Sequence, residues 1–169
     1  RLGAEPQAAA QAAASYRGAA RRFELIGSVS GVTVVDDYAH HPTKIRATIA
    51  GARQQFGERV QLVMVHVPHT YSRTKALLAE YRGAFDGLDV LVLGPIEPAR
   101  ERHLAGTVSS ADVAALVTEQ ELVLVDSARE AIAEVMARIQ PPAVIVCSSV
   151  RGFDDVAAKM LQALSDRAW

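Results

Sequence analysis

The sequence predicts an α/β domain, a doubly wound, mostly parallel open sheet of about six strands with helices on both faces. Three observations predict it. Short apolar runs alternate with stretches whose apolar residues recur every three or four positions, as strands alternating with amphipathic helices do. The run at 88–93, Leu-Asp-Val-Leu-Val-Leu, is apolar on both faces, as a parallel strand covered from two sides must be. Finally, 169 residues, 50% hydrophobic and 22% charged, can fill one core but not two ordinary ones.

The elements follow in order. Residues 1–15 are alanine-rich; Pro6 suits the first position of a helix, and 8–14 has high helix propensity but almost no large apolar side chain. This segment reads as a peripheral helix or the end of a preceding domain. The run 16–22, Tyr-Arg-Gly-Ala-Ala-Arg-Arg, is a basic connection, so 1–18 is expected to be a helical linker or tail and 19–169 the domain proper. Two strands at 23–29 and 32–35 flank Ser30-Gly31, a hairpin-like turn. Pro42 opens a helix at 42–55 with Ile45, Ile49, Ala52 and Phe56 on one face. A strand at 60–67 leads to a helix at 72–85 carrying Leu77, Tyr81 and Phe85, then to the strand at 88–93. Ser109 and Asp112 form a weak capping box for a helix at 109–118, and a strand at 122–125 follows. Ser127 and Glu130 form a stronger box for a helix at 128–140 with Ile132, Val135, Met136 and Ile139 inward. A strand at 143–147 and a helix at 153–166 end the chain. Right-handed crossovers would wind these units into a Rossmann-like sheet.

Composition removes several functions. Lysine and arginine number 18 against 19 acids, net charge −1, which lacks the basic footprint of a nucleic-acid binder. The longest apolar stretch, around 143–147, is far short of the ~20 residues of a membrane span. One cysteine, Cys147, allows no internal disulfide or Cys-rich zinc site and fits a reducing, cytoplasmic setting. The start, Arg1-Leu2-Gly3, has neither a signal-peptide apolar run nor an initiator Met, so a piece of a longer protein is expected. There is no G-x-x-x-x-G-K-[ST], no G-x-G-x-x-G after a strand and no nucleophile elbow; the chain holds half a nucleotide site at best.

In such sheets ligands bind beyond the carboxyl ends of the strands. Two loops there are rich in chemistry: Asp36-Asp37-Tyr38-Ala39-His40-His41-Pro42 and Pro68-His69-Thr70-Tyr71-Ser72-Arg73-Thr74. His40, His41, His66 and His69, four of the five histidines, lie in or beside them. Asp37 can accept from ribose hydroxyls, His and Tyr can stack on a base, and Arg73 can grip a carboxylate or phosphate with two prongs. The plainer alternative is that Asp37 and His41 cap the helix at Pro42. A histidine metal site is disfavoured because adjacent histidines point apart and His66 reads as interior. Asp36-Asp37 also suggests a phosphoacceptor pocket, but the further Asp and Lys which that chemistry needs are absent. Cys147 has no basic neighbour nearer than Arg151 and reads as inert.

Arg21-Arg22-Phe23-Glu24, the run from Gly31 to Thr43, the run from Pro68 to Thr74 and Glu97-Pro98-Ala99-Arg100-Glu101 together resemble the C-terminal domain of the Mur ligases over residues 5–105. Within that family the resemblance is to the branch that adds L-alanine to UDP-N-acetylmuramate. It implies an ATP-dependent amide-forming ligase of peptidoglycan synthesis that works through an acyl phosphate. The partners implied are UDP-N-acetylmuramate, L-alanine and ATP, together with the N-terminal and central domains of the same chain. The P-loop and the Mg2+ ligands would belong mainly to that central domain, and this piece alone would be inactive. Arg22, Asp37, Tyr38 and His40 would contact ATP; His69, Tyr71 and Arg73 would hold the amino acid; no catalytic or metal-binding residue is assigned. Where the family commonly has Arg, this chain has Thr70, and where it commonly has Gly-Ala-Gly-Asp, this chain has Cys147-Ser148-Ser149-Val150-Arg151. The alternatives are a murein-peptide recycling ligase domain and a degenerate module that senses nucleotide or docks a protein.

Overall fold

Six strands form one sheet: β1 (Glu24–Val29), β2 (Val32–Asp37), β3 (Gln61–His66), β4 (Val90–Leu93), β5 (Glu121–Leu124) and β6 (Ala143–Ser148). Their order is β1-β2-β6-β3-β4-β5. The structure, a computed structural model, describes residues 5, 7–8, 20–148, 153 and 155–167. Apart from residues 7–8, the helix expected after Pro6 lies outside these, as do 16–19 of the basic connection and Ser149, Val150 and Arg151. β1 is antiparallel to β2 across a turn in which Ser30 and Gly31 both have positive φ, 49° and 79°, the backbone a two-residue hairpin favours. All other pairings are parallel.

Side chains alternate between two cores, as a pleated strand demands. Val35, Leu62, Met64, Leu91, Val144 and Val146 pack under Ile45, Ile49 and Ala52 of α1 (Pro42–Phe56) and Val113 of α3 (Ser110–Ala114). The opposite face, with Val34, Val63, Val65, Val92 and Ile145, is covered by Ala131 and Val135 of α4 (Ala128–Arg138) and by Val156, Met160 and Leu164 of α5 (Val156–Asp166). At about 1.5–3 kcal/mol for each large apolar side chain fully buried, these two layers hold the sheet.

The helix expected at 72–85 divides. α2 spans Tyr71–Ala76, a 3-10 turn spans Leu78–Tyr81, and turns carry the chain on to β4. Arg46 of α1 donates from Nη2 to the carbonyls of Glu80 at 2.6 Å and Arg82 at 3.2 Å, taking acceptors a longer helix would use. Gly83, at φ 66°, then turns the backbone out of helical space. α3 is likewise shorter than expected. Its capping box is complete, with Ser109 N donating to Asp112 Oδ2 at 2.7 Å and Asp112 N donating to Ser109 Oγ at 3.3 Å. At α4 the order expected from sequence reverses: Ser127 Oγ accepts from Glu130 N, but Glu130 Oε2 reaches past it to Asp126 N.

The strand order decides what meets at the carboxyl rim. β6 lies between β2 and β3, so Ser148 is in register with both Asp37 and His66.

Candidate functional site

β2 ends in two acids, which the pleat sends to opposite faces. Asp36 is buried; its Oδ2 accepts from Arg21 Nε at 3.2 Å, and among the described residues its buried Oδ1 has no partner. Burial raises its pKa, and Arg21 opposes the shift. Asp37 does not cap α1. Its Oδ2 accepts from Phe23 N at 2.8 Å, tying the start of β1 to the end of β2. Burial also raises the Asp37 pKa, countered by the Phe23 N–H, the Thr48 hydroxyl and the charges of Arg22 and Lys44. Tyr38 N donates to Arg21 O at 2.8 Å while the Arg21 guanidinium lies 5.4 Å from the Tyr38 ring centre. This lacing brings exposed Arg22 beside Asp37. His41 takes the plainer role: it is the α1 N-cap, its Nδ1 accepting from Thr43 N at 3.3 Å.

The two loops meet through rings. Tyr38 and His40 are 4.5 Å apart edge to face, and His40 and His69 are 5.5 Å apart. Arg73 Nη1 lies 3.2 Å from His69 Nδ1 across one turn of α2. An arginine can only donate, so His69 Nδ1 is the acceptor and its proton sits on Nε2. Burial lowers the His40 pKa to about 4, helped by Arg73, His69 and Lys44. Burial and then Arg73 lower that of His69. Both rings are therefore neutral at pH 7. Among the described residues, Arg73 has no carboxylate partner.

A third loop clamps the second. Thr70 has φ 66°, a conformation that strains a β-branched residue by about 1–3 kcal/mol. It is held there because Thr70 N donates to Glu97 O at 2.8 Å, Glu97 N donates to Pro68 O at 2.9 Å, and Thr74 Oγ1 donates to Thr70 O at 2.8 Å. Glu101 receives Ser72 N at 2.8 Å and Ser72 Oγ at 2.5 Å, and these two bonds hold its carboxyl below the usual range. The run 97–101 thus fixes the start of α2 and the direction of His69 and Arg73.

Beneath the loops lies His66, fully buried at the end of β3 against the rings of Tyr81 and Phe85. Its Nδ1 is 3.2 Å from Ser148 Oγ, which donates to Ala39 O, while its Nε2 has no partner among the described residues. Burial pushes its pKa down to about 3. Cys147 is also buried, and burial pushes its thiol up, away from reactivity.

The residues singled out in the sequence therefore divide. Tyr38, His40, His69 and Arg73 form one contiguous group, with Arg22 and Asp37 at its β1 end. Tyr71 instead helps line a neighbouring cleft of about 320 Å³ beyond β4 and β5, with Ile96, Ser110, Leu124 and Asp126. Glu97, Glu101, His66 and Ser148 were given no site role from the sequence, and His66 lies in the interior as the sequence reading expected. The run 97–101 carries part of the family likeness, and that likeness was the available signal for the two glutamates. Nothing local could pair His66 with Ser148, 82 positions away.

Among the described residues His40 Nδ1 and Asp36 Oδ1 are buried and unpartnered, polar atoms of the kind that a ligand, a water or a neighbouring domain satisfies. Among the described residues no three His, Cys, Asp or Glu side chains group to hold a metal ion. No described helix is long and apolar enough to cross a membrane.

Residues 21–151 match the family described as "Mur ligase, glutamate ligase domain". UDP-N-acetylmuramate–L-alanine ligase of Roseiflexus sp. strain RS-1 is 43% identical over 145 residues, covering 86% of this chain and 31% of that protein. The ligase of the same name from Chloroflexus aggregans is 40% identical over 163 residues, 96% of this chain and 34% of that one. The chain thus spans about a third of the length of these relatives. The crystal structure of a murein peptide ligase from Psychrobacter arcticus shares the fold, with a TM-score of 0.69 at 24% identity over 99% of this chain and 35% of that one.

Proposed function

Because the chain belongs to the Mur ligase family, we propose that it is the C-terminal domain of an ATP-dependent ligase that adds L-alanine to UDP-N-acetylmuramate in the cytoplasm. One observation carries this reading: the loops after β2 and β3 meet, His40 against His69 at 5.5 Å, beside an arginine with no carboxylate partner among the described residues. Residues 1–18 belong, in this reading, to the tail of a central domain. That domain brings the P-loop and the magnesium ligands.

ATP, when bound, supplies the phosphoryl group that activates the sugar-linked carboxylate as an acyl phosphate, which the amine of alanine then attacks, releasing phosphate. The domain's share is positioning and charge neutralisation. Asp37 accepts from the ribose hydroxyls, and Arg22 faces the phosphates from the domain junction. Tyr38 and neutral His40 form the wall between nucleotide and amino acid. Arg73, steadied by His69 Nδ1, pairs with the alanine carboxylate. Tyr71 borders the amino-acid side where the neighbouring cleft begins. Closure of this domain onto the other two would complete the site.

The test is ADP release by the full-length protein with UDP-N-acetylmuramate. Release should depend on L-alanine and be insensitive to the tripeptide L-alanyl-D-glutamyl-diaminopimelate. Stimulation by the tripeptide and not by alanine would transfer the chain to the peptide-recycling reaction. Stimulation by neither would leave a docking or sensing module.

A further inference from the structure

The rim of the sheet contains a buried polar device that the proposed chemistry does not use. Ser148 ends β6, the strand inserted between β2 and β3, and is 1% exposed. Its hydroxyl donates to Ala39 O, in the middle of the loop that carries Tyr38 and His40. A hydroxyl has one proton. With that proton committed to Ala39, the 3.2 Å contact to His66 Nδ1 must run the other way, Nδ1–H donating to Ser148 Oγ. The His66 tautomer is thereby fixed, with a bare Nε2 buried without a partner. The ring itself is held between Tyr81 and Phe85, at 6.3 and 5.5 Å. His66, Ser148 and Ala39 thus make a hydrogen-bonded chain, two donors ending on a carbonyl acceptor, from the end of β3, through β6, to the loop after β2.

We propose that His66 and Ser148 are positioning residues: a buried strut that fixes the Ala39 carbonyl and so sets Tyr38 and His40 against His69. The alternative support for this loop is thin. His40 has a buried, unpartnered Nδ1, and the loop's other tethers lie at its two ends, Tyr38 N to Arg21 O and the His41 cap. Among the described residues, the hydrogen bond that ties the middle of the loop to the sheet is that from Ser148. Without its hydroxyl the Ala39 carbonyl, next to a side chain only 1% exposed, would lose its donor where water enters poorly.

The effect on substrates rests on the function proposed above, so the test has one arm that needs no substrate. In the full-length protein, the ¹⁵N shifts of the His66 ring should report a neutral imidazole protonated at Nδ1; protonation at Nε2 would overturn the strut. Ser148→Ala should speed amide exchange over residues 37–42 by about tenfold, the effect of one unsatisfied buried acceptor on a local opening. His66→Phe, which keeps the ring volume and removes the donor, should act in the same direction. His66→Asn, whose amide nitrogen can stand where Nδ1 stands, should restore slow exchange. Unchanged exchange in Ser148→Ala, or no difference between the Phe and Asn variants, would also overturn it. In the ligase assay Ser148→Ala and His66→Phe should raise KM for ATP and alanine about tenfold while kcat holds, and His66→Asn should not, since a displaced loop weakens binding before chemistry. If the unmutated protein shows no alanine-dependent turnover, the function is wrong, and the exchange and tautomer results still decide the strut.

Discussion

At the amino ends of the strands, Arg53 donates to Gly87 O at 2.9 Å, Val60 O at 2.8 Å and Asp89 Oδ2 at 2.9 Å. Asp89 also accepts from Leu62 N at 2.7 Å, and Gln61 bridges Arg138 O and Gln140 N at 3.1 and 2.7 Å. At the carboxyl ends, Asp36 Oδ1, His40 Nδ1 and His66 Nε2 are buried with no partner, Thr70 holds a strained backbone, and Arg73 touches only a neutral histidine among the described residues. The same polar residue types serve both ends. A satisfied network locks strands together, whereas an unsatisfied one is costly to the domain alone and marks where ligands or neighbouring domains complete it. The amino rim is satisfied among the described residues, and in the function proposed above the carboxyl rim is the one that binding completes.

Arginine substitutions break this comparison most sharply. Arg73→Ala should raise the KM for alanine about a hundredfold, the loss of a charge-assisted carboxylate pair, while its urea midpoint stays unchanged. Arg53→Ala should do the reverse: unfolding should cost about 3 kcal/mol less in urea titration, from the loss of a mostly buried, triply bonded guanidinium, with the alanine KM of the surviving enzyme unmoved. If both variants lose stability equally, the two rims do not differ as claimed.

Gly94 sharpens the boundary between them. A Cβ there would come within 2.9 Å of Val67 Cγ2 and 3.3 Å of Phe153 Cζ, directly under the second loop. Gly94→Ala should destabilise the chain by about 1–3 kcal/mol in thermal unfolding, and it should perturb His69 more than Asp89 in NMR spectra.

The most graded effect is of pH. His40 and His66 have native pKa values lowered to about 4 and about 3, against about 6.5 when unfolded. Below pH 6.5 the unfolded chain binds protons that the native chain refuses, so stability is complete above that pH and falls as pH drops toward 4. Fully buried His66 alone contributes a slope of about 1.4 kcal/mol per pH unit. Asp36 and Asp37, whose native pKa values are raised, take up protons before their unfolded counterparts and soften the loss at the acid end. Chemical denaturation from pH 7 to 4 should show this slope, and His66→Phe should flatten it.

Much of this was legible in the sequence. The alternation of apolar strands with three-and-four spaced helices located all six strands, and the carboxyl-end rule directed attention to the loops that do meet. Strand order was not legible, because β6 pairs with β2 and β3 through backbone atoms common to every residue. The contact of Ser148 with His66 and Ala39 depends on that order and was hidden with it. That the helical stretch stops near Tyr81 and does not run to 85 was hidden for a related reason: Arg46, on another helix, takes the carbonyls of Glu80 and Arg82. Capping strength was misjudged because Glu130 satisfies Asp126 N in preference to its own cap residue. Arg73 was singled out because an arginine near a helix start, beside histidines, can hold a carboxylate or phosphate, and its assignment to the amino acid came from the family resemblance.

The most direct measurement of the central claim is a crystal structure of the full-length protein with L-alanine and a non-hydrolysable ATP analogue. The account predicts the alanine carboxylate within hydrogen-bonding distance of the Arg73 guanidinium, with His40 and His69 beside it and the ribose on Asp37. Alanine bound away from Arg73, or a nucleotide that leaves the loop after β2 untouched, would contradict it.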